Sequence, residues 1–491
     1  MKVSVISLGC PKNLIDSEII LGHLAKTDFS ITSDWKNSDV VIINTCAFLK
    51  SAVKEAEKYI QQVLSYKKSG SIKKLIIAGC LSQRYKNTLL EKFPNVDGIV
   101  GIDNLADIPK LCISKTTQIR VPKTPKHLYN NTAPRLLTTN HYAYLKIADG
   151  CDNFCSYCLL PSIRGRFRSR KIKDIVTEAK QLAEHGVNPA PISTGSLSIN
   201  LSTDVYPAHL ENRGGVKELI LVAQDTTLYG KDIYHKPSLS RLLKNLVRIK
   251  NIEWIRILYT HPAHWTDELI KVYNENTKIC RYVDLPLQHI SNNILKTMNR
   301  PYDRKTIEQL LTKLKKIPGL AIRTSFIIGF PNESDKDFEE LLAFIKEQKF
   351  AHLGCFKYSR EQGTVAYNLL NQIPEKTKKE RYDTIMATQQ QISLKRMRGF
   401  IGKKVKVIID SKSSSSVTLR RKPLAERHRS KSEVLGFNYI GRSQYDAPEI
   451  DGVVYLSYPV TLNQKANGLN QGDFVEVKIS HAQPYALISN P

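Results

Sequence analysis

Apolar residues in the first part of the chain come in short runs. KVSVISL (2–8), DVVIINT (39–45), KKLIIAG (73–79) and DGIVGI (97–102) have strand length and are bounded by polar or glycine-containing segments. Continuous apolar runs of this kind read as strands buried on both faces, as in a parallel sheet. Between them, stretches over roughly 13–26, 47–66 and 83–92 repeat apolar positions at helical spacing. Strand and helix alternate, so residues 1–115 are expected to form a doubly wound α/β domain.

A polar, proline-containing stretch, 116–140, reads as a linker, after which the alternation resumes. YAYLKIA, KELILVAQ, EWIRILYT, RYVDLPLQ, AIRTSFIIGF and HLGCFKYS are six strand-like runs, the first five each followed by a helical stretch. Parallel strands with right-handed crossovers make a partial (β/α)6 barrel over 141–372. A polar helix over 373–398 leads to short alternating strands separated by Gly, Asp and Pro over 399–491, the pattern of a small β-barrel. Two polar segments break this rhythm. Residues 188–215 form a 28-residue connection after a helix ending at His185-Gly186, where two to six residues are usual. Residues 411–437 interrupt the terminal β pattern with seven Lys or Arg against two Glu. Both are expected to be surface insertions.

Composition narrows the setting. With 491 residues, 41% of them apolar, the chain has material for two to four cores. A formal charge of +27 suits contact with nucleic acid or an assembly containing it, and equally suits a solvated lysine-rich surface. The opening MKVSVISLGC lacks the apolar core and cleavage site of an export signal, and no apolar stretch is long enough to span a bilayer. The expected location is therefore cytoplasmic, without a membrane partner. Thiols stay reduced there, so nine cysteines speak for metal binding or catalysis rather than disulfides.

The positions of those cysteines are informative. Cys10, Cys46 and Cys80 each follow one of the first three strands, and parallel strands share the carboxyl edge at which ligands bind. A free cysteine taken alone is an ordinary core residue; three at equivalent strand ends form a cluster. Cys112, Cys280 and Cys355 share no pattern and read as packing residues. The stretch DGCDNFCSYC puts Cys151, Cys155 and Cys158 directly after the first barrel strand, on the rim where barrel chemistry sits. Structural zinc takes four protein ligands, which this spacing does not supply locally, although a distant fourth ligand stays open. An iron-sulfur cubane on three thiolates keeps one iron free for a substrate or cofactor.

C-x-x-x-C-x-x-C after the first strand of a (β/α) barrel resembles the radical S-adenosylmethionine superfamily. Together with the three strand-end cysteines and the terminal β-barrel it is similar to the methylthiotransferases, over essentially the whole chain apart from the two insertions. SLGCPKN (7–13), ILVAQDTTLYG (220–230), DLPLQH (284–289), MNRPY (298–302) and YDAPEIDG (445–452) resemble the branch called RimO. The transfer-RNA branch is expected to show GCQMN at the first cysteine and Gln-Asn after the second barrel strand; here Pro11-Lys12-Asn13 and Gln224-Asp225 stand there.

The resemblance implies a TRAM-like terminal barrel and two 4Fe-4S clusters, one on Cys151, Cys155 and Cys158 that cleaves S-adenosylmethionine, the other on Cys10, Cys46 and Cys80. It implies Tyr157 beside the adenine, and Gly329 and Glu333 of IIGFPNES beside the adenosine. Taken alone, Tyr157 is a loop aromatic and the other two a turn opening a helix. The implied reaction is methylthiolation of the β-carbon of an aspartate in small-subunit ribosomal protein twelve. Hydrogen-atom abstraction by a 5'-deoxyadenosyl radical suits that carbon, which has no acidic proton. The implied partners are that protein, ribosomal RNA around it, and a reductant such as flavodoxin or ferredoxin. The acidic YDAPEID loop is expected to meet the basic ribosomal protein by charge complementarity. Two alternatives stand beside this reading: a transfer-RNA adenosine methylthiotransferase, and an RNA-binding protein with structural clusters.

Overall fold

The computed structural model describes residues 1–185, 187–188, 215–412, 437–457 and 468–489, so both expected insertions lie outside it apart from their end residues. The first sheet has six parallel strands: β1 (Lys2–Ser7), β2 (Ser30–Ile31), β3 (Val40–Thr45), β4 (Lys74–Gly79), β5 (Gly98–Val100) and β6 (Gln118–Arg120), in the order β2-β1-β3-β4-β5-β6. Helix α1 (Pro11–Leu24) packs Ile20, Leu21 and Leu24 against one face, while the helix Lys50–Lys68 packs Val53, Ala56, Ile60 and Val63 against the other. Covered on both sides, the central strands are buried apart from Lys74 at the start of β4, which is why they are rich in Val and Ile. The helix expected over 83–92 is two pieces, Cys80–Tyr85 and Thr88–Lys92, broken where Lys86 takes a positive φ of 49°. Part of the stretch read as a linker is structured: β6 extends the first sheet, and Arg135–Leu136 pairs with Val187–Asn188.

The barrel consists of two parallel three-stranded sheets. Tyr142–Lys146, Glu218–Val222 and Trp254–Ile257 form one; Tyr282–Asp284, Ala321–Ile328 and His352–Lys357 form the other. An Ile255–Ile279 bridge joins them into an open six-stranded arc. Its outward apolar residues meet the helices Ile172–His185, Leu239–Leu246, Asp267–Glu275, Arg304–Leu314 and Asp335–Gln348 in one large core.

After the helix Glu375–Arg398 the chain forms a curled six-stranded sheet. Its order is Phe474–Lys478, Lys404–Lys412, Tyr439–Ser443, Val453–Leu456, Ala486–Ser489, His481–Gln483. This sheet docks on the amino ends of the barrel strands. Glu218 at the start of the second strand pairs with Arg256 at 2.8 Å and with Arg442 at 2.5 Å, all three buried, and Arg256 also donates to Gln444 O at 2.9 Å. The acidic loop is part of that plug: Asp451 accepts from Tyr282 Oη at 2.7 Å and faces Arg323, and Asp446 is buried. The expectation that YDAPEID meets a basic protein partner is thereby narrowed: Asp446 and Asp451 are occupied inside the molecule, and only Glu449 of its three carboxylates is exposed.

Candidate metal centres

The first cysteine set sits at the carboxyl edge of the sheet. Cys10 caps α1 in an extended conformation, with Pro11 at the first helical position, where proline's missing N–H costs nothing. Cys46 follows β3, and Cys80 opens the helix after β4. Gly9 has φ +102°, and a Cβ there would lie 2.6 Å from Cys46 Cβ, so only glycine lets these two strand ends close up. Asn13 ties the edge together. Its amide donates to Leu8 O at 2.9 Å and Thr45 O at 2.8 Å, and Cys80 Sγ lies 3.5 Å from its Oδ1.

Arg164, buried, reaches across from the barrel side and donates to Asn13 Oδ1 at 2.6 Å and Cys80 Sγ at 3.3 Å. Burial pushes the Cys80 thiol up to about 12, Arg164 only partly offsetting it, and burial with the nearby Cys10 also raises Cys46. At Cys10 burial is outweighed by Lys12, Arg164 and backbone N–H groups, which hold the thiol below its ordinary range.

The second set lies on a loop at the mouth of the barrel. Ser156 anchors it, its N–H donating to Met298 O at 3.0 Å and its hydroxyl to Thr297 O at 2.8 Å. Asn299 donates to Phe154 O at 2.9 Å, and Arg300 donates to Cys155 Sγ at 3.3 Å. MNRPY thus grips the cysteine loop from the opposite sheet. Burial, with repulsion from neighbouring thiolates, pushes Cys158 up to about 12, and burial pushes Cys151 up to about 11. Each set gathers three buried or half-buried thiols around a single arginine; three thiolates against one guanidinium leave net negative charge out of water, and a cationic iron core balances it. Both donor sets therefore fit iron-sulfur clusters.

Residues 2–101 match the Uncharacterized protein family UPF0004, residues 145–345 the Radical SAM superfamily, and residues 401–491 the TRAM domain. A Desulforamulus reducens protein named ribosomal protein uS12 methylthiotransferase RimO is 40% identical over 491 residues, covering 99% of this chain and 98% of its own. A protein of the same name from Clostridioides difficile is 39% identical, covering 100% and 98%. The chain belongs to the RimO methylthiotransferase family. Among solved structures, the radical S-adenosylmethionine methyltransferase TsrM from Kitasatospora setae has 14% identity and a TM-score of 0.48 over 72% of each chain.

The remaining residues singled out in this RimO-family sequence lie along the second set. Tyr157 packs edge-on to Phe330, ring centroids 6.3 Å apart, which brings it beside Gly329. Gly329 has φ +67°, and a Cβ there would meet Lys378 Cγ at 2.2 Å. Glu333 is engaged internally: it accepts from Gly329 N at 2.8 Å and pairs with Arg381 at 2.5 Å. It shapes the glycine turn rather than presenting a free carboxylate.

Sequence reasoning missed Arg164 and Arg300 as thiol partners; a lone arginine near a cysteine motif carries no pattern. It singles out Asp225 only as part of the Gln224-Asp225 pair; the grouping of Asp225 with His261 and His264, whose ligand atoms and its own lie within 4.8 Å of one another, was not foreseen. His261 Nδ1 accepts from Ala263 N at 3.3 Å, so the proton of the neutral ring sits on Nε2. Burial, reinforced by Arg300, holds His261 well below the ordinary histidine range and keeps it neutral. Asp225 is taken by His264 at 2.7 Å, Thr227 at 2.7 Å and Asn153 at 3.0 Å. His261 stacks on His264, ring centroids 4.7 Å apart, with its Nε2 unpartnered among the described residues, and Asp225 through Asn153 braces the cysteine loop.

Proposed function

We propose that this chain methylthiolates the β-carbon of an aspartate in small-subunit ribosomal protein twelve. The observation that carries the reading is end-to-end identity of 40% with a RimO relative over a chain that keeps both three-cysteine sets. In this reading Cys151, Cys155 and Cys158 hold one 4Fe-4S cluster and Cys10, Cys46 and Cys80 the other, each with one iron free of protein thiolate. When bound, S-adenosylmethionine and the two clusters supply the electron, the 5'-deoxyadenosyl radical and the methylthio group. The chain's own residues orient and enclose. Arg300 fixes Cys155 and Arg164 fixes Cys80, which sets the rotamers of two ligands. Tyr157, Phe330 and the Gly329 turn form an apolar wall on which an adenine can stack. Glu333 holds that turn in place.

The partners in this reading are protein twelve, ribosomal RNA beside it, and a reductant protein of flavodoxin or ferredoxin type, all in the cytoplasm. A cleft of about 540 Å³ between the terminal sheet and the barrel, lined by Lys315, Arg396, Lys403, Lys404 and Lys406, supports RNA contact. No helix among the described residues is long and apolar enough to cross a membrane. The test is to give the anaerobically reconstituted enzyme intact protein twelve and isopentenylated transfer RNA in parallel. Mass spectrometry should find methylthio in place of hydrogen on the protein's aspartate; the same gain on the RNA alone assigns the chain to the other branch.

A further inference from the structure

A buried lysine ordinarily has an anionic partner. Lys146 meets Asp16 and Asp149, and Lys378 meets Glu375. Lys12 differs. The residue is 7% exposed, its ammonium has one long contact to Ala223 O at 3.5 Å, and it lies 3.6 Å from the centroid of the Tyr259 ring. Its charge helps lower the Cys10 thiol, but among the described residues it pairs with no carboxylate, and the contact to Ala223 O engages one of its three N–H groups. Its setting is specific. Lys12 is in the first turn of α1, two residues after Cys10, while Ala223 directly follows the second barrel strand and Tyr259 lies just beyond the third. The ammonium therefore stands where the edge of the first sheet meets the barrel rim. Tyr259 carries φ +59°, unusual for an aromatic residue, held by its N–H to Asp284 Oδ2 at 2.8 Å and by Thr226 N to its carbonyl at 3.0 Å. The ring is thus fixed beneath the ammonium.

We propose that Lys12, on its Tyr259 platform, receives the side-chain carboxylate of the acceptor aspartate. The proposal rests on the acceptor named above. A carboxylate entering a water-poor site needs a counter-charge, and here one is in place with donors to spare. The carboxyl carbon is bonded to the β-carbon that loses its hydrogen, so holding the carboxylate also aims that C–H bond. A nucleobase brings no such charge.

The experiment uses the iron-loaded full chain, intact protein twelve, and protein twelve with its acceptor aspartate changed to asparagine. Wild type should bind the aspartate protein at least about tenfold more tightly than the asparagine one, the scale of one buried charged hydrogen bond. Lys12→Met, which keeps the volume and drops the charge, should bind the two equally; Lys12→Arg should keep most of the preference. A Lys12→Met enzyme that still prefers aspartate overturns the proposal. So does one whose S-adenosylmethionine affinity or iron content falls instead, because the lysine then serves the cofactor's carboxylate or the cluster. If wild type modifies only transfer RNA, the acceptor reading itself fails, and this assignment with it.

Discussion

Replacing Arg164 by methionine should cost stability and one cluster together. The guanidinium is 2% exposed and pairs with Asp16 at 2.9 Å and Asp149 at 3.1 Å. Lys146 shares both carboxylates, at 2.5 Å and 3.4 Å, so two cations balance two anions. Without Arg164 one buried negative charge has no partner. Breaking a buried pair in this way costs about 3–5 kcal/mol, and the lower end applies because Lys146 remains and Gln224 still donates to Asp149 at 2.7 Å. At roughly 2–4 °C per kcal/mol, about 3 kcal/mol lowers the melting temperature by about 6–12 °C. Asn13 and Cys80 lose their guanidinium donor in the same change, so iron should fall from about eight per chain towards four. Adding Asp149→Asn restores charge balance and should recover melting without recovering iron. Anaerobic calorimetry with iron analysis reads both. Full iron and a melting temperature within about 2 °C of wild type would refute the argument that this pairing holds the edge together.

Replacing Cys151, Cys155 and Cys158 by alanine should halve the iron and abolish S-adenosylmethionine cleavage, whereas replacing Cys10, Cys46 and Cys80 should halve the iron and leave some cleavage; full iron in the latter contradicts the strand-edge assignment. Cys151 and Cys158, at about 11 and about 12, are protonated near neutrality, so loading must expel their protons. Cluster assembly should therefore tighten as pH rises from about 7 to about 9, with proton release visible to an indicator dye; pH-independent loading is the contrary result. Gly329→Ala imposes about 1–2 kcal/mol of backbone strain besides its contact with Lys378, and should weaken S-adenosylmethionine binding about tenfold at unchanged iron content. Unaltered affinity would make that turn purely structural.

The parts of the fold legible in the sequence are those where burial is continuous. β3 and β4 are covered on both faces and so appear as runs rich in Val and Ile, and Cys46 and Cys80 stand directly after them. β2 and β6, two and three residues long, are too short to carry a period. The break at Lys86 has no glycine or proline to announce it. Arg135, Arg164, Arg256 and Arg442 are fully buried, yet an arginine in isolation reads as surface. Their partners come from distant segments, so only the assembled fold reveals them. The reading of YDAPEID has the same origin: Asp446 and Asp451 signal exposure until Ser443 is seen to face the first and Tyr282 and Arg323 the second.

Those buried charges explain how two separately patterned units hold their cysteine sets in fixed relation. α1 begins at Cys10 and turns two acids, Asp16 and Glu18, towards the barrel side. Asp16 enters the Lys146, Asp149 and Arg164 network. Glu18 pairs with Arg135 at 2.6 Å, Arg135 with Glu178 at 2.9 Å, and Glu178 with Arg170 at 2.6 Å. Burial alone would raise the Asp149 carboxyl, but Lys146 and Arg164 outweigh it and hold the group well below the ordinary range, so that carboxylate is charged in the folded protein. Apolar faces of the same area would return as much stability or more. They would also tolerate sliding, whereas guanidinium and carboxylate forks pair in one register. Asp149 is two residues before Cys151, and Arg164 touches Cys80, so the network runs from one cysteine set to the other through side chains that cannot shift without losing a partner. Chemistry that joins a radical formed at one site to sulfur held at the other depends on that distance, and the chain fixes it with charge because charge pairs specify position.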